Sequence, residues 1–313
     1  MKTSRYIVVL MLAFAVATAF AADGTETAAE PVPKTVGSVY RDLASSGLIH
    51  AILTELPDGV LLRSDKVEIA QEELDRQIAE APEAVRDQLR KNAFFVLEQM
   101  ATGRLLLVEA RAALEEAGKG LAGRADAEII NEYLQSVVED VDVADEEVRS
   151  FYDENKDMVG GAQFDQVKDQ IRQYLSGQKK QEAIVEHIAT LGTRVKIEVT
   201  ADWGEQQAAL AADNPVDKAR NSGKASVVDF GADGCRPCDM MVPVLAALRK
   251  KYEGKLNVEF VHVREEQILA ARYGVRTIPV QVFYDAEGDE VFRHVGFFPQ
   301  GEIEKKLAEM GIE

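Results

Sequence analysis

The sequence predicts a chain of two unlike parts: a helical N-terminal domain carrying one short β hairpin, residues 36–200, and an α/β domain, residues 201–313. Three observations lead there. Apolar residues recur at helical spacing through most of the stretch between Gln71 and Leu191. After Ala201 the pattern changes to short apolar strands alternating with helices. Both cysteines of the chain, Cys235 and Cys238, fall in the second part, at a turn where strand hands over to helix.

At 313 residues and 46% hydrophobic content the chain has room for more than one core. Lys2 and Arg5 precede the apolar run Ile7 to Phe20, and Ala19-Phe20-Ala21 fits a small-residue cleavage site. Residues 1–21 are therefore read as a signal peptide, and the protein as periplasmic. An uncleaved anchor is the alternative, because Tyr6 to Ala22 reaches the length of a bilayer span. No cysteine follows the run, so a lipid-modified N-terminal cysteine is excluded. The net charge of −18 becomes more negative still on cleavage, which argues against nucleic acid and anionic lipid as partners.

Residues 22–35, small, polar and proline-bearing, read as a disordered linker. Val36 to Leu56 is mixed and reads as helical. GVLLRSDKVEIA, Gly59 to Ala70, breaks the helical period around Ser64-Asp65 and reads as a hairpin. Gln71 to Glu80 is a helix, and Pro82 opens a longer one that runs to Gly118 with a kink expected at Gly103. Ala127 to Val141, Asp145 to Asn155 and Phe164 to Leu191 follow as helices. Val195 to Val199 alternates as a strand able to pair with the early hairpin. Trp203 to Ala212 and Pro215 to Ser222 are helical, and then Ala225 to Ala232 is a strand, Pro237 to Tyr252 a helix, Leu256 to Val263 a strand and Glu265 to Tyr273 a helix. A hairpin of Pro279 to Tyr284 with Glu290 to Val295, and a helix from Gln300 to Met310, close the chain.

Cys235 sits where the helix from Pro237 begins, facing the positive end of the helix dipole and unpaired backbone N–H groups. Both favour thiolate over thiol, lowering a pKa that is about 8.5 in free cysteine. Cys235 is the candidate nucleophile. Cys238, two residues further on, can attack a mixed disulfide formed at Cys235 and release the product. Arg236 adds positive charge beside the thiols, while Asp233 and Asp239 oppose it. A zinc site would need further ligands, and His50, His187, His262 and His294 are each isolated in the sequence. A purely structural disulfide is the other alternative; redox work is favoured, with no metal and no cofactor. His262 and His294 read more simply as strand residues than as acid–base groups.

Two resemblances add to this reading. Over about residues 202–313, DGCRPCDMMVP, VVDF, YGVRTIP and HVG together resemble the thioredoxin family. The resemblance implies a thioredoxin fold in which Cys235 and Cys238 form the redox-active disulfide. It puts Asp229 at the buried acid that takes the proton of Cys238, Ile278-Pro279 at a cis-proline turn that pairs with an extended substrate, Pro243 inside the helix and Gly296 at a late strand. A solvent-facing strand-end acid and an ordinary trans proline are the alternatives. Gly234 stands where the family usually has tryptophan, which opens the lip of the site, Asp239 replaces the usual cation, and Phe260 stands where many members put a lysine near the buried acid, which implies a differently tuned proton relay. Pro237 before the second cysteine is closer to the reducing members. Over roughly residues 59–200, the order of hairpin, helices, DEEVRSFYDEN, FDQVKDQIRQYLSGQKK and closing strand resembles the N-terminal chaperone module of the SurA and PrsA parvulin-type factors. Only Lys156 to Gln163 stands where that group carries its isomerase domain, too short for one.

Together these imply an exported thiol–disulfide oxidoreductase, reductase or isomerase, acting on disulfide-containing proteins. A membrane-bound or soluble redox partner and a helical module for client binding or homodimerisation are expected. A redox-inactive chaperone or scaffold, in which the thioredoxin-like domain only binds partners, is the alternative.

Overall fold

The computed structural model describes residues 32–40, 43–44, 47–154 and 162–313. The expected signal peptide, the expected linker up to residue 31, and residues 156–161 lie outside the described residues. Among the described residues no helix is long and apolar enough to cross a membrane.

At the end of the expected linker, the Lys34 carbonyl accepts from Leu53 N–H at 2.8 Å, and Thr35 bridges Ile52. Thr35 also caps the single-turn helix α1 (Val36–Val39), exchanging bonds with Ser38. The helix expected from Val36 to Leu56 goes no further. The N–H groups of Val36 and Gly37 donate to Ala51 and Ile49 at 2.9 Å each, so the segment doubles back and runs into a strand, β1 (Ile52–Thr54).

The hairpin forms as the polar turn requires. β2 (Val60–Arg63) and β3 (Glu68–Ala70) pair antiparallel about Ser64, whose Oγ accepts from Val67 N–H at 2.9 Å. After α2 (Gln71–Glu80) the long expected helix is two helices, α3 (Glu83–Lys91) and α4 (Ala93–Glu116). The break lies at Asn92, not Gly103. Asn92 turns out of the helix and its Nδ2 donates to the Gln88 carbonyl at 2.9 Å, an alternative to the helical ladder that asparagine readily takes. Next come α5 (Asp126–Val137), α6 (Asp145–Glu154), α7 (Phe164–Ala189), the short α8 (Leu191–Arg194) and β4 (Glu198–Thr200).

β4 pairs antiparallel with β2, as expected, and parallel with β1, so the hairpin is half of a four-stranded sheet ordered β1-β4-β2-β3. Leu62, Ile69 and Val199 from this sheet pack with Leu74, Phe94, Leu97 and Leu105 from α2 and α4. The expected domain boundary falls at the start of α9 (Ala201–Ala211). That helix lays Trp203, Ala208 and Ala211 on the same core, with Trp203 stacked on Phe94 at 5.8 Å. Val148 of α6 and Ile171 of α7 centre a smaller cluster of their own.

The α/β part starts at α10 (Pro215–Arg220), capped by Asn214, whose Oδ1 accepts from Asp217 N–H at 3.0 Å. Then follow β5 (Ser226–Gly231), α11 (Arg236–Lys251), β6 (Asn257–His262), α12 (Gln267–Arg272), β7 (Val280–Tyr284), β8 (Glu290–Val295) and α13 (Gln300–Glu309). The sheet order is β6-β5-β7-β8, with β5 and β6 parallel and the other pairs antiparallel.

Every residue of β5 is buried, and strand alternation sorts its side chains between two layers. Val227 and Phe283 face Met241, Leu245 and Leu248 of α11 and Ile303 of α13. Val228, Phe230 and Val282 face Val216 of α10 and Leu269 of α12. The same parity turns Asp229 and Gln281 toward α11.

α12 ties this part to the rest of the unit formed by residues 33–313. Gln88 of α3 donates from Nε2 to the Glu265 carbonyl at 2.5 Å and accepts from Ile268 N–H at 3.2 Å. Arg272, buried, pairs with buried Asp217 at 3.0 Å and donates to the Ala211 carbonyl at the end of α9 at 3.0 Å. Tyr273 donates its hydroxyl hydrogen to the same carboxylate.

Candidate redox site

β5 ends at Gly231, and the turn Ala232-Asp233-Gly234 carries the chain to α11. Gly234 has φ of +72° and open space where a side chain would begin. A residue with a Cβ is disfavoured in that left-handed conformation, a backbone reason for glycine at this lip. Cys235 is the N-cap of α11, with Arg236 and Pro237 as its first two helical residues. Arg236, Asp233 and Asp239 are exposed, and Pro237 is half-buried.

Cys235 and Cys238 are joined by a disulfide, with their Cα atoms 5.2 Å apart. Their environments differ. Cys235 is half-buried and Cys238 is 4% exposed, so an incoming sulfur meets Cys235 first. The Cys238 backbone N–H donates to Cys235 Sγ at 3.4 Å. In the reduced protein that N–H and the helix N-terminus would favour a thiolate on Cys235.

Ile278 and Pro279 meet the cysteines from the loop before β7. The peptide between them is cis, and the Ile278 carbonyl oxygen lies 4.0 Å from Cys235 Sγ. The Pro279 carbonyl accepts from Gly296 N–H at 2.8 Å, tying the end of β8 to the same turn.

Asp229 is sealed from solvent. Its Oδ1 accepts from Gln281 Nε2 at 2.6 Å, while its Oδ2 has no hydrogen-bond partner. Burial pushes the carboxyl up to about 6, opposed by the Gln281 hydrogen bond and by the positive charge of Arg249. The position where a Cβ would stand on Gly231 is 3.4 Å from Cys238 Cβ and 3.5 Å from Asp229 Oδ2. The unpaired oxygen and the inner cysteine therefore border the same small space.

Gln281 escaped the sequence reading, although a signal was there. In VQVFY a lone polar residue stands on a strand otherwise apolar on both faces, opposite Asp229 in the β5–β7 register. The two strand histidines lie to the side of this chemistry. His262 accepts the Asp233 N–H at Nε2, at 3.4 Å, and His294 stacks on Phe298 at 4.2 Å. Among the described residues no cluster of three or more His, Cys, Asp or Glu is placed to hold a metal.

A family model described as Thioredoxin matches residues 207–309. The thioredoxin of Chlorobaculum thiosulfatiphilum is 39% identical over 89 residues, covering 28% of this chain and 82% of that protein. Thioredoxin 2 of Chlorobaculum tepidum is 40% identical over 89 residues, covering 28% of this chain and 81% of that protein. Among solved structures, a mutant thioredoxin from Halobacterium salinarum NRC-1 matches with 31% identity, 31% of this chain, 83% of that chain and a TM-score of 0.29. Since these curated relatives are matched over most of their own length, the chain belongs, through its C-terminal part, to the thioredoxin family.

Proposed function

We propose that the protein is an exported thiol–disulfide oxidoreductase that reduces or rearranges disulfides in proteins of the periplasm. The single observation that carries the reading is the unequal burial of two bonded sulfurs at the start of α11, the outer one open to a client and the inner one beside a buried acid. Family membership supports the class of chemistry. The periplasmic location rests on the sequence of residues 1–21.

In the reducing direction the Cys235 thiolate attacks a client disulfide. A Cys235–client bond forms, the client S–S bond breaks, and the departing sulfur takes the electron pair and then a proton from water. Cys238 next gives its thiol proton to the Asp229 carboxylate and attacks Cys235 Sγ. The protein disulfide forms, the mixed disulfide breaks, and the second client sulfur leaves as thiolate. Two electrons have passed from the protein dithiol to the client, and a dithiol donor, membrane-bound or soluble, restores the starting state. Ile278 would align an extended client segment beside Cys235, as an added strand aligns on a sheet edge. Gly234, Arg236 and Pro237 shape the rim, with Arg236 supplying the charge that favours thiolate. No cofactor enters these steps.

For the N-terminal module the proposal is capture of the client or pairing with a second copy, in the manner of the SurA and PrsA group. The resemblance of residues 59–200 to that group is what supports this. Wild type should reduce a disulfide-linked protein such as insulin with a dithiol donor, and Cys235→Ser should not. Equal turnover by the two would remove the redox reading. Suppression of client aggregation that survives loss of both thiols would leave the scaffold in its place.

A further inference from the structure

The space over Gly231 has a third wall. Phe260 on β6 stands beside Asp229 in the β5–β6 register, and its Cε2 lies 3.0 Å from the point where a Cβ on Gly231 would be. That contact is tighter than ordinary packing allows for a real Cβ. The missing side chain of Gly231 and the ring of Phe260 thus fit each other, and the ring edge closes over the spot bordered by Cys238 Cβ and Asp229 Oδ2. Phe260 is 39% exposed, so part of the ring meets water while its Cε2 borders the space shared by Cys238 Cβ and Asp229 Oδ2. His262, next on the same face, meets the ring edge-on at 6.3 Å and accepts the Asp233 N–H from the loop before Cys235.

We propose that Phe260 is a positioning residue that shields the space between Asp229 and Cys238 from bulk water, so that the Cys238 thiol proton reaches the Asp229 carboxylate without exchanging with bulk solvent. This deepens the redox reading and rests on it. An apolar cover raises the free energy of the ionised carboxylate because it withholds water, and a carboxylate so raised is the better proton acceptor. The groups that face Asp229 are Gln281 from β7, and Cys238 and Arg249 from α11. Beyond the ring stand His262, Asp233 and Glu265.

The test is the titration of Asp229 in the oxidised protein, followed by its carboxyl carbon resonance, in wild type, Phe260→Ala, Phe260→Leu and Gly231→Ala. Phe260→Ala should lower the midpoint by about one unit or more toward the ordinary carboxylate value of about 3.9. Phe260→Leu, which keeps an apolar cover, should stay near wild type. Gly231→Ala presses its methyl on the ring by a few tenths of an ångström and adds apolar cover beside Asp229 Oδ2, so it should not lower the midpoint. In the reduced protein, Phe260→Ala should slow release of the mixed disulfide about tenfold near neutral pH and Phe260→Leu should restore it, general-base assistance being worth 100-fold or more, roughly, when lost altogether. An unmoved midpoint in a folded Phe260→Ala, or a midpoint lowered by Gly231→Ala, would overturn the inference. The titration needs no exchange activity. Failure of the redox reading would therefore appear as an inactive wild type with the shift intact, and failure of this inference as an active protein with no shift.

Discussion

Gln281 donates its amide hydrogen to Asp229 Oδ1 at 2.6 Å, from the residue directly opposite it in the β5–β7 ladder. The bond uses one carboxyl oxygen and leaves Oδ2 to face Gly231 and the inner cysteine. It also works against burial, holding the carboxyl lower than the apolar surroundings alone would. Gln281 accordingly sets both the orientation and the acidity of the proposed proton acceptor.

Gln281→Leu should push the Asp229 carboxyl above about 6, because the donor that favours the charged form is gone. Carboxyl resonance titration of the oxidised protein reads this directly. A midpoint that stays in place or falls would show that the amide does not control the acid.

Asp229→Asn should change how stability depends on pH. The folded-state pKa is raised, so proton binding by Asp229 favours the native state fully below the ordinary carboxylate range, and that contribution is lost as pH rises through about 6. Urea denaturation of the oxidised wild type should show about 2–3 kcal/mol falling away between roughly pH 4 and pH 7, relative to the variant. Parallel profiles would contradict the raised value. In turnover, the same variant should slow release of the client more than its capture.

The pair Asp217–Arg272 should be costly to break from one side. Both side chains are nearly sealed, and Tyr273 and Asn214 also donate to the carboxylate. Asp217→Ala should cost about 3–5 kcal/mol, since it removes a buried carboxylate that Arg272, Tyr273 and Asn214 all bond and that Arg220 faces at 4.0 Å. Replacing both partners with leucine and methionine should recover much of the loss. Equilibrium denaturation separates the cases, and a single substitution costing under about 1 kcal/mol would assign the pair no more weight than a surface ion pair.

Gln88→Ala should loosen the junction between α3 and α12. The side chain supplies one donor and one acceptor to the backbone at Glu265 and Ile268, and α12 has no side-chain N-cap of its own. A loss of about 1–2 kcal/mol and faster hydrogen exchange at the Ile268 amide are expected. Unchanged exchange there would mean that α12 is held by its own packing.

The second half of the fold was legible because its signals are local. An apolar run on β5, a turn, a proline-opened helix and alternating strands appear in order, and observed limits fall within two residues of expected ones at β5, α11 and β7. Other features depended on partners distant in the chain. β1 is three residues long and exists through β4, far along the sequence, so no periodicity announces it. The break at Asn92 hid inside an apolar repeat that continues on both sides, while Gly103, the more obvious breaker, sits unbroken within α4. The apolar side of α9 gave no sign that Trp203 would stack on Phe94. At the site, the cysteines were readable from type and spacing, and Asp229 through the resemblance to the thioredoxin family. The resemblance also sets Phe260 near the acid, where the β5–β6 register puts it. Gln281 was not legible, because its relation to Asp229 is one of strand register, set by pairing rather than by nearness in sequence.

The most direct test of exchange through an outer and an inner sulfur is to mix reduced Cys238→Ser with a disulfide-bonded client and follow the covalent adduct on non-reducing gels and by mass spectrometry. The adduct should accumulate through Cys235 and persist, wild type should pass through it and end as the intramolecular disulfide, and Cys235→Ser should form no comparable adduct. An adduct that builds instead on Cys238, or wild type that leaves the client disulfide intact in the presence of a dithiol donor, would contradict the account.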